Sequence, residues 1–366
     1  MPDAHATPAL DLAADVVTIT RAICDVPSVS GDEGRLADLV MQALAGAAHL
    51  ELVRDGDAVV ARTKLDRDRR VVIAGHLDTV PINGNVPTRF ETDENGTEYL
   101  WGRGTVDMKA GVAVQLKLAA ELAEPAVDVT WVWYDHEEVS SALNGLGRIA
   151  RTAPELLAGD FAILGEPSNG QVEGGCNGTL RAEVRTSGLR AHSARSWVGD
   201  NAIHKLAPAL AKLAAYEAET VEVDGLAYRE GLNAVIVRGG IAGNVIPDEA
   251  VLEVNYRFAP SKSAAEAAEF VTAFFAGFEV AVVDAADGAR PGLDDPLAQE
   301  FVRAVGAEAR PKYGWTDVAR FSAMGIPAVN FGPGDPLKAH ADDERVAVAQ
   351  IVDCERALRA WLTAAG

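Results

Sequence analysis

Val71-Val72-Ile73-Ala74-Gly75-His76-Leu77-Asp78-Thr79-Val80-Pro81 decides how the chain is read. Its first four residues form an apolar run, β-branched in three places, that suits a buried strand. The run ends on a glycine, and an imidazole and a carboxylate follow at once. The same plan recurs. Val129-Thr130-Trp131-Val132-Trp133-Tyr134 runs into Asp135-His136-Glu137-Glu138, and Phe161-Ala162-Ile163-Leu164 runs into Gly165-Glu166-Pro167-Ser168. Ala328-Val329-Asn330-Phe331 runs into a Gly-Pro-Gly turn and then His340. Between the first two strands, Asp107 to Ala123 reads as a helix with Asp107 near its start. Strands separated by helices predict an α/β fold, with a mostly parallel sheet and helices on both faces.

The pattern changes near residue 178. Strands over 179–186, 232–241, 251–258 and 279–284 are separated by helical stretches over 200–218 and 261–278, and Pro208 is a candidate kink. The order β-α-β-β-α-β is the split-βαβ pattern of a ferredoxin-like α+β domain. Gly288-Ala289-Arg290-Pro291-Gly292 reads as a linker back into the first domain. The expected organisation is therefore a catalytic domain of residues 1–177 and 289–366, with an inserted domain of residues 178–288.

Composition narrows the function. The chain of 366 residues carries 54 acidic against 33 basic side chains, a net charge of −21 that repels phosphate backbones and anionic lipid. Nucleic-acid and membrane partners are not expected. Cys24, Cys176 and Cys354 are too scattered for a disulfide framework or a CxxC metal site. Asp3, Asp11 and Asp15 stand where a secretory leader would be basic and then apolar, so a cytoplasmic location is expected. There is no GxxxxGK[ST] phosphate loop and no GxSxG elbow.

In open α/β sheets the carboxyl ends of the strands line the ligand crevice. His76, Asp107, a carboxylate of the Glu137-Glu138 pair, Glu166 and His340 converge there, and two imidazoles with three carboxylates suit Zn²⁺ or a similar divalent ion. One carboxylate can bridge two ions about 3.5–4 Å apart, which makes a two-metal hydrolytic site. Taken singly, each residue has a bland explanation: a loop histidine, a helix cap for Asp107, an acidic turn for Glu137-Glu138. Their joint placement at matching strand ends does not.

As a set, Gly-His-Leu-Asp-Thr-Val-Pro at 75–81, Gly-Arg-Gly-Thr-Val-Asp-Met-Lys-Ala-Gly at 102–111, Glu137-Glu138, Gly-Glu-Pro-Ser at 165–168 and His340 resemble the di-zinc aminoacylase/carboxypeptidase family over nearly the whole chain. The resemblance implies two Zn²⁺ per subunit, with Co²⁺ as a substitute. His76 and Glu166 would hold one ion, Glu138 and His340 the other, and Asp107 would bridge them. It further implies that Asp78 orients His76 and that Glu137 is the general base. The inserted domain would act as lid and dimerisation domain of a homodimer, with His192 reaching the oxyanion across the dimer. Asn244, Arg257, Thr316 and Arg195 would meet a small-molecule substrate rich in carboxylates. The implied reaction is amide hydrolysis. Family members acting on other acylated amino acids or dipeptides, and a non-catalytic binder on the same scaffold, are the alternatives. One departure is His136, which stands where the family usually has Asp or Cys; it is expected to face the core. The run Ala341-Asp342-Asp343-Glu344 fits the family's His-x-x-(Asn/Asp)-Glu pattern.

Overall fold

The computed structural model describes residues 9–364; Met1–Pro8, with the Asp3 used in the leader argument, and Ala365–Gly366 lie outside it. The chain divides into two compact units. One runs to Gly174 and takes in Gly292–Arg310 and the described residues from Arg320 on; the other is Gly175–Pro291 with Pro311–Ala319. The sequence reading had kept residues 311–319 with the larger domain. They group with the smaller unit because Asn177 N–H donates to the Lys312 carbonyl (3.1 Å) and the Trp315 indole N–H to the Asp287 carbonyl (3.0 Å).

The larger unit is built on an eight-stranded mixed sheet. Its centre is four parallel strands in the order Asp128–Tyr134, Arg70–His76, Phe161–Leu164, Ala328–Asn330. The hairpin Glu51–Asp55/Ala58–Arg62 extends one edge antiparallel, and Val172–Gly174 pairs antiparallel with Ala328–Asn330 on the other side. Every residue of Asp128–Tyr134 is buried. Side chains alternate across a strand, so both faces of the sheet are covered, as a near-continuous apolar run requires.

The helix Lys109–Glu121 is buried over most of its length. It reaches that depth because it is made of small residues where it meets backbone. A Cβ on Gly111 would stand 2.2 Å from the Gly165 carbonyl oxygen, and one on Gly332 would stand 2.3 Å from the same atom. Two glycines therefore let helix and loop backbone close on the turn that carries Glu166. The helix begins two residues after Asp107, and its N-cap, Met108, makes no side-chain cap bond. The capping role considered for Asp107 is thus not the one it takes.

The smaller unit holds a four-stranded antiparallel sheet in the order Gly231–Gly239, Glu249–Phe258, Gly178–Ser187, Glu279–Ala286. With the helices Ala207–Ala214 and Ala264–Phe274 this is the expected ferredoxin-like arrangement. Leu180, Val184, Leu252, Val254 and Tyr256 point to the helix side and form its core. On the other face Glu183, Arg185, Arg238 and Glu253 pair with one another. Pro208 does not kink a long helix. It sits in the first turn of Ala207–Ala214, where its missing N–H costs nothing. The hairpin Thr220–Val223/Leu226–Arg229 and the small sheet Arg89–Thr92, Glu98–Trp101, Arg345–Ala347 were not foreseen; both are short, half-polar strands with weak periodicity.

Gly111→Ala should lower stability by about 1–3 kcal/mol, because the obstacle is backbone and cannot rotate away. Urea denaturation of the ion-free chain measures this, and an unchanged midpoint would contradict the packing described.

Candidate metal centre

His76 is the last residue of strand Arg70–His76, and its side chain is fully buried. Its Nδ1–H donates to the Asp78 carbonyl oxygen (3.0 Å), which leaves Nε2 facing Asp107 Oδ1 at 3.1 Å. Asp107 Oδ2 lies 3.3 Å from His340 Nε2, and that nitrogen is 3.0 Å from Glu138 Oε1. Glu166 Oε1 stands 3.9 Å from His76 Nε2. One carboxylate thus turns one oxygen to each imidazole. Among the described residues the potential ligand atoms fall into three groups, each within 4.8 Å: His76, Asp107 and Glu166; Asp107, Glu138 and His340; and His76, Glu137 and Glu138.

The electrostatics fit a cation. Burial disfavours charge on His76, but Asp107, Asp78 and Glu166 outweigh it and raise the imidazole well above its usual value. Asp107 and Glu138 raise His340 to about 10. Asp107 is held well below the carboxylate range by the two histidines against the effect of its burial. An imidazole lone pair facing a carboxylate at hydrogen-bond distance needs a proton or a metal ion between them. The mixed His/carboxylate donor set is one that first-row divalent ions accept.

Asp78 does more than orient His76. Its Oδ1 lies 3.4 Å from His76 Nδ1, farther than its own carbonyl oxygen. Oδ1 accepts the Glu137 N–H and Oδ2 the Glu138 N–H, each at 3.0 Å, and the Ser30 hydroxyl donates to Oδ2 at 2.6 Å. Burial pushes its carboxyl up, but His76, Ser30 and the Glu138 N–H together hold it at about 2. Asp78 therefore fixes the turn that carries the Glu-Glu pair.

His136 does not face the core. It adopts φ +58°, in the left-handed region, and its side chain is partly exposed. Nδ1 lies 2.7 Å from Asp135 Oδ2, and the Arg148 guanidinium forks onto the same carboxylate at 2.7 and 3.0 Å. Its main-chain N–H donates to buried Glu33 (3.2 Å). Asp135 and two groups that sequence reasoning passed over, Glu33 and Arg148, hold this loop. Arg148 lies on the helix Gly145–Thr152, and only the fold brings it there.

In the smaller unit, His192 and Asn244 come together. His192 pairs with Val245, and the Ser193 N–H donates to the Asn244 carbonyl (2.9 Å). Arg195 lies in the same exposed turn, Ser193–Val198. Arg257 and Thr316 form a second group beside Cys176, whose Sγ is 3.7 Å from the Thr316 carbonyl oxygen. The two groups flank opposite ends of Glu249–Phe258. Eight steps of strand, from Glu249 to Arg257, separate the two groups by about 26 Å. The structure does not bring Asn244 and His192 to Arg257 within one chain.

A parallel sheet whose strand ends present this donor set defines a metal-dependent hydrolase class, and the comparisons agree. The chain belongs to peptidase family M20/M25/M40, whose model matches residues 72–364. It is 56% identical over 96% of its length to a Mycobacterium tuberculosis protein, 99% of which is covered, named provisionally as succinyl-diaminopimelate desuccinylase. It is 48% identical to the Corynebacterium glutamicum succinyl-diaminopimelate desuccinylase, over 97% of this chain and 98% of that one. In structure it is similar to a Staphylococcus aureus tripeptidase (TM-score 0.77, 20% identity, 97% and 98% covered). It is also similar to a Sulfolobus solfataricus M20 metallo-carboxypeptidase (TM-score 0.74, 16% identity, 96% and 99% covered). No helix among the described residues is long and apolar enough to cross a membrane.

Asp78→Asn leaves one of the two loop N–H groups facing an amide instead of a carboxylate oxygen. It should weaken divalent-ion affinity about 10- to 100-fold, measured by competition with a chromophoric chelator on the folded chain.

Proposed function

We propose that the chain hydrolyses N-succinyl-LL-2,6-diaminopimelate to succinate and LL-2,6-diaminopimelate, a step of lysine and peptidoglycan precursor synthesis, using two Zn²⁺ ions per subunit for which Co²⁺ can substitute. The observation that carries this reading is the Asp107 carboxylate facing His76 and His340 with separate oxygens. The likeness to the two desuccinylases over nearly the full chain selects the substrate.

His76 and Glu166 would hold one ion and Glu138 and His340 the other, with Asp107 facing both groups. Bound there, the ions supply Lewis acidity toward the amide carbonyl and lower the pKa of water. Glu137 takes the proton of the attacking water as oxygen adds to the succinyl carbon. It returns that proton to the amine nitrogen as the C–N bond breaks. Asp78 keeps Glu137 in place through its main-chain N–H. Arg257 supports the choice of a carboxylate-rich substrate: its Nε donates to Asn255 Oδ1 (3.1 Å), and burial lowers its pKa. A planar guanidinium in that setting suits a carboxylate. Thr316 accompanies Arg257 at that end of the strand, and Asn244 with Arg195 accompanies His192.

His192 stabilises the oxyanion of a partner subunit. The separation of about 26 Å along Glu249–Phe258 supports a contribution in trans. The edge strand Gly231–Gly239 supports a dimer interface, since it exposes Val235 (51%), Ile236 (41%) and Val237 (52%) beside unpaired backbone. A cytoplasmic homodimer is the working state in this reading.

Chelation should abolish succinate release, and two equivalents of Zn²⁺ should restore it; a folded, reloaded chain without turnover would move the substrate to another acyl-amino acid. Glu137→Ala should retain both ions and lose about 10²- to 10⁴-fold in kcat. Dissociating and remixing inactive Glu137→Ala and His192→Ala chains should restore up to roughly a quarter of wild-type turnover. Half the dimers are then hybrids, and each hybrid has one intact site if His192 acts across the dimer. Remixing without recovery would place His192 in its own subunit's site.

A further inference from the structure

Glu344 lies four residues beyond His340, and its side chain is completely buried. Oε1 accepts the main-chain N–H groups of Val106 (2.9 Å) and Asp107 (3.1 Å). Oε2 accepts from Arg103 Nη1 at 2.7 Å, and Arg103 is itself only 4% exposed. Arg103 also donates to the Pro81 and Ala341 carbonyl oxygens, each at 3.3 Å, and the Gly102 N–H donates to the Glu344 carbonyl (3.0 Å). One carboxylate therefore ties together the 102–107 loop, which carries Asp107, and the 340–344 loop, which carries His340. It also reaches, through Arg103, the end of the 76–81 loop that carries His76.

We infer that Glu344 is a positioning residue for the ion site, which fixes the distance between the Asp107 carboxylate and the His340 imidazole by gripping the backbone of one loop from within the other. The inference rests on reading the cluster as a two-ion site. Asp107 has no helical hydrogen bond of its own to hold it, since the helix begins only at Lys109. Its main-chain N–H is held by Glu344, and its side-chain oxygens, 3.1 and 3.3 Å from the two imidazoles, have little latitude. Loss of the grip frees the Asp107 loop and the His340 loop to separate. The ion shared by Asp107, Glu138 and His340 suffers most, because two of its three ligands stand on those loops. The ion near His76 and Glu166 suffers less, because His76 ends a central strand and the Glu166 turn is packed against Gly111 and Gly332.

The test is a Co²⁺ titration followed by visible absorption on Glu344→Gln and Glu344→Asp. A core variant, Leu118→Ala, serves as the control for lost stability at a fully buried site away from the cluster. Gln keeps the length but offers one acceptor oxygen to donors on two sides; Asp keeps the charge but is too short to reach both. In each, the second equivalent of Co²⁺ should bind about 10- to 100-fold more weakly with an altered spectrum, while the first changes less. Leu118→Ala should keep both wild-type affinities. Unchanged uptake of both ions by folded, destabilised Glu344 variants would overturn the inference. So would failure of both variants to fold, which would assign Glu344 to the fold alone. A wild-type chain that takes up no Co²⁺ would instead remove the two-ion reading, and the inference with it.

Discussion

Buried carboxylates that accept main-chain N–H groups hold this site together. Asp78 receives the N–H groups of Glu137 and Glu138, Glu344 those of Val106 and Asp107, and Glu33 those of Gly31 and His136. A buried carboxylate is costly unless several donors meet it. The loops at the strand ends supply donors that no helix or ladder uses. The arrangement gives these N–H groups acceptors, although both donors to Glu33 meet one oxygen, Oε1, and it converts irregular loops into fixed supports. Lys109 is the cationic counterpart. Fully buried, it donates to the Ile23 and Val26 carbonyls at the end of helix Val16–Cys24, where the helix dipole favours a cation.

The same supports explain why so many acids can share one small volume. Asp78, Asp107, Glu137, Glu138 and Glu166 would repel one another if mobile. Packed backbone keeps the Glu166 turn close to helix Lys109–Glu121, with Gly111 and Gly332 both against the Gly165 carbonyl. The repulsion is relieved by protonated imidazoles in the ion-free chain, and by divalent cations in the hydrolase proposed. A rigid parallel sheet is the element that can hold such a charge pattern without spreading, because its strand ends are fixed by ladders on both sides.

Much of the fold was legible in local pattern. Phe161–Leu164 was read at its exact limits, and Val71–Ala74 and Val129–Tyr134 were read within two residues, because their apolar runs are bounded by Gly, Asp or Arg. The alternating segments of the smaller unit gave its strand order. Asp107 was harder. Its sequence position suggests a helix start, but the helix begins only at Lys109, and the Asp107 N–H is held by Glu344 instead of by the helix. His136 was misread because a left-handed turn leaves its ring partly exposed, with Nδ1 against Asp135, instead of packed in the apolar core. Periodicity does not report a single residue's φ.

What the sequence determined by itself was chemistry at strand ends: which residues end buried strands, and that two imidazoles and three carboxylates stand among them. That follows from hydrophobic runs and turn residues, which act over a few positions. Tertiary structure alone decided which groups support them. Arg148 meets Asp135, Arg103 meets Glu344, and Asp78 meets the Glu137–Glu138 turn across 59 and 60 residues of chain. It also set Arg257 and His192 at opposite ends of one strand. Contacts between distant segments depend on how sheet and loops close in space, and no local pattern of side chains encodes that closure.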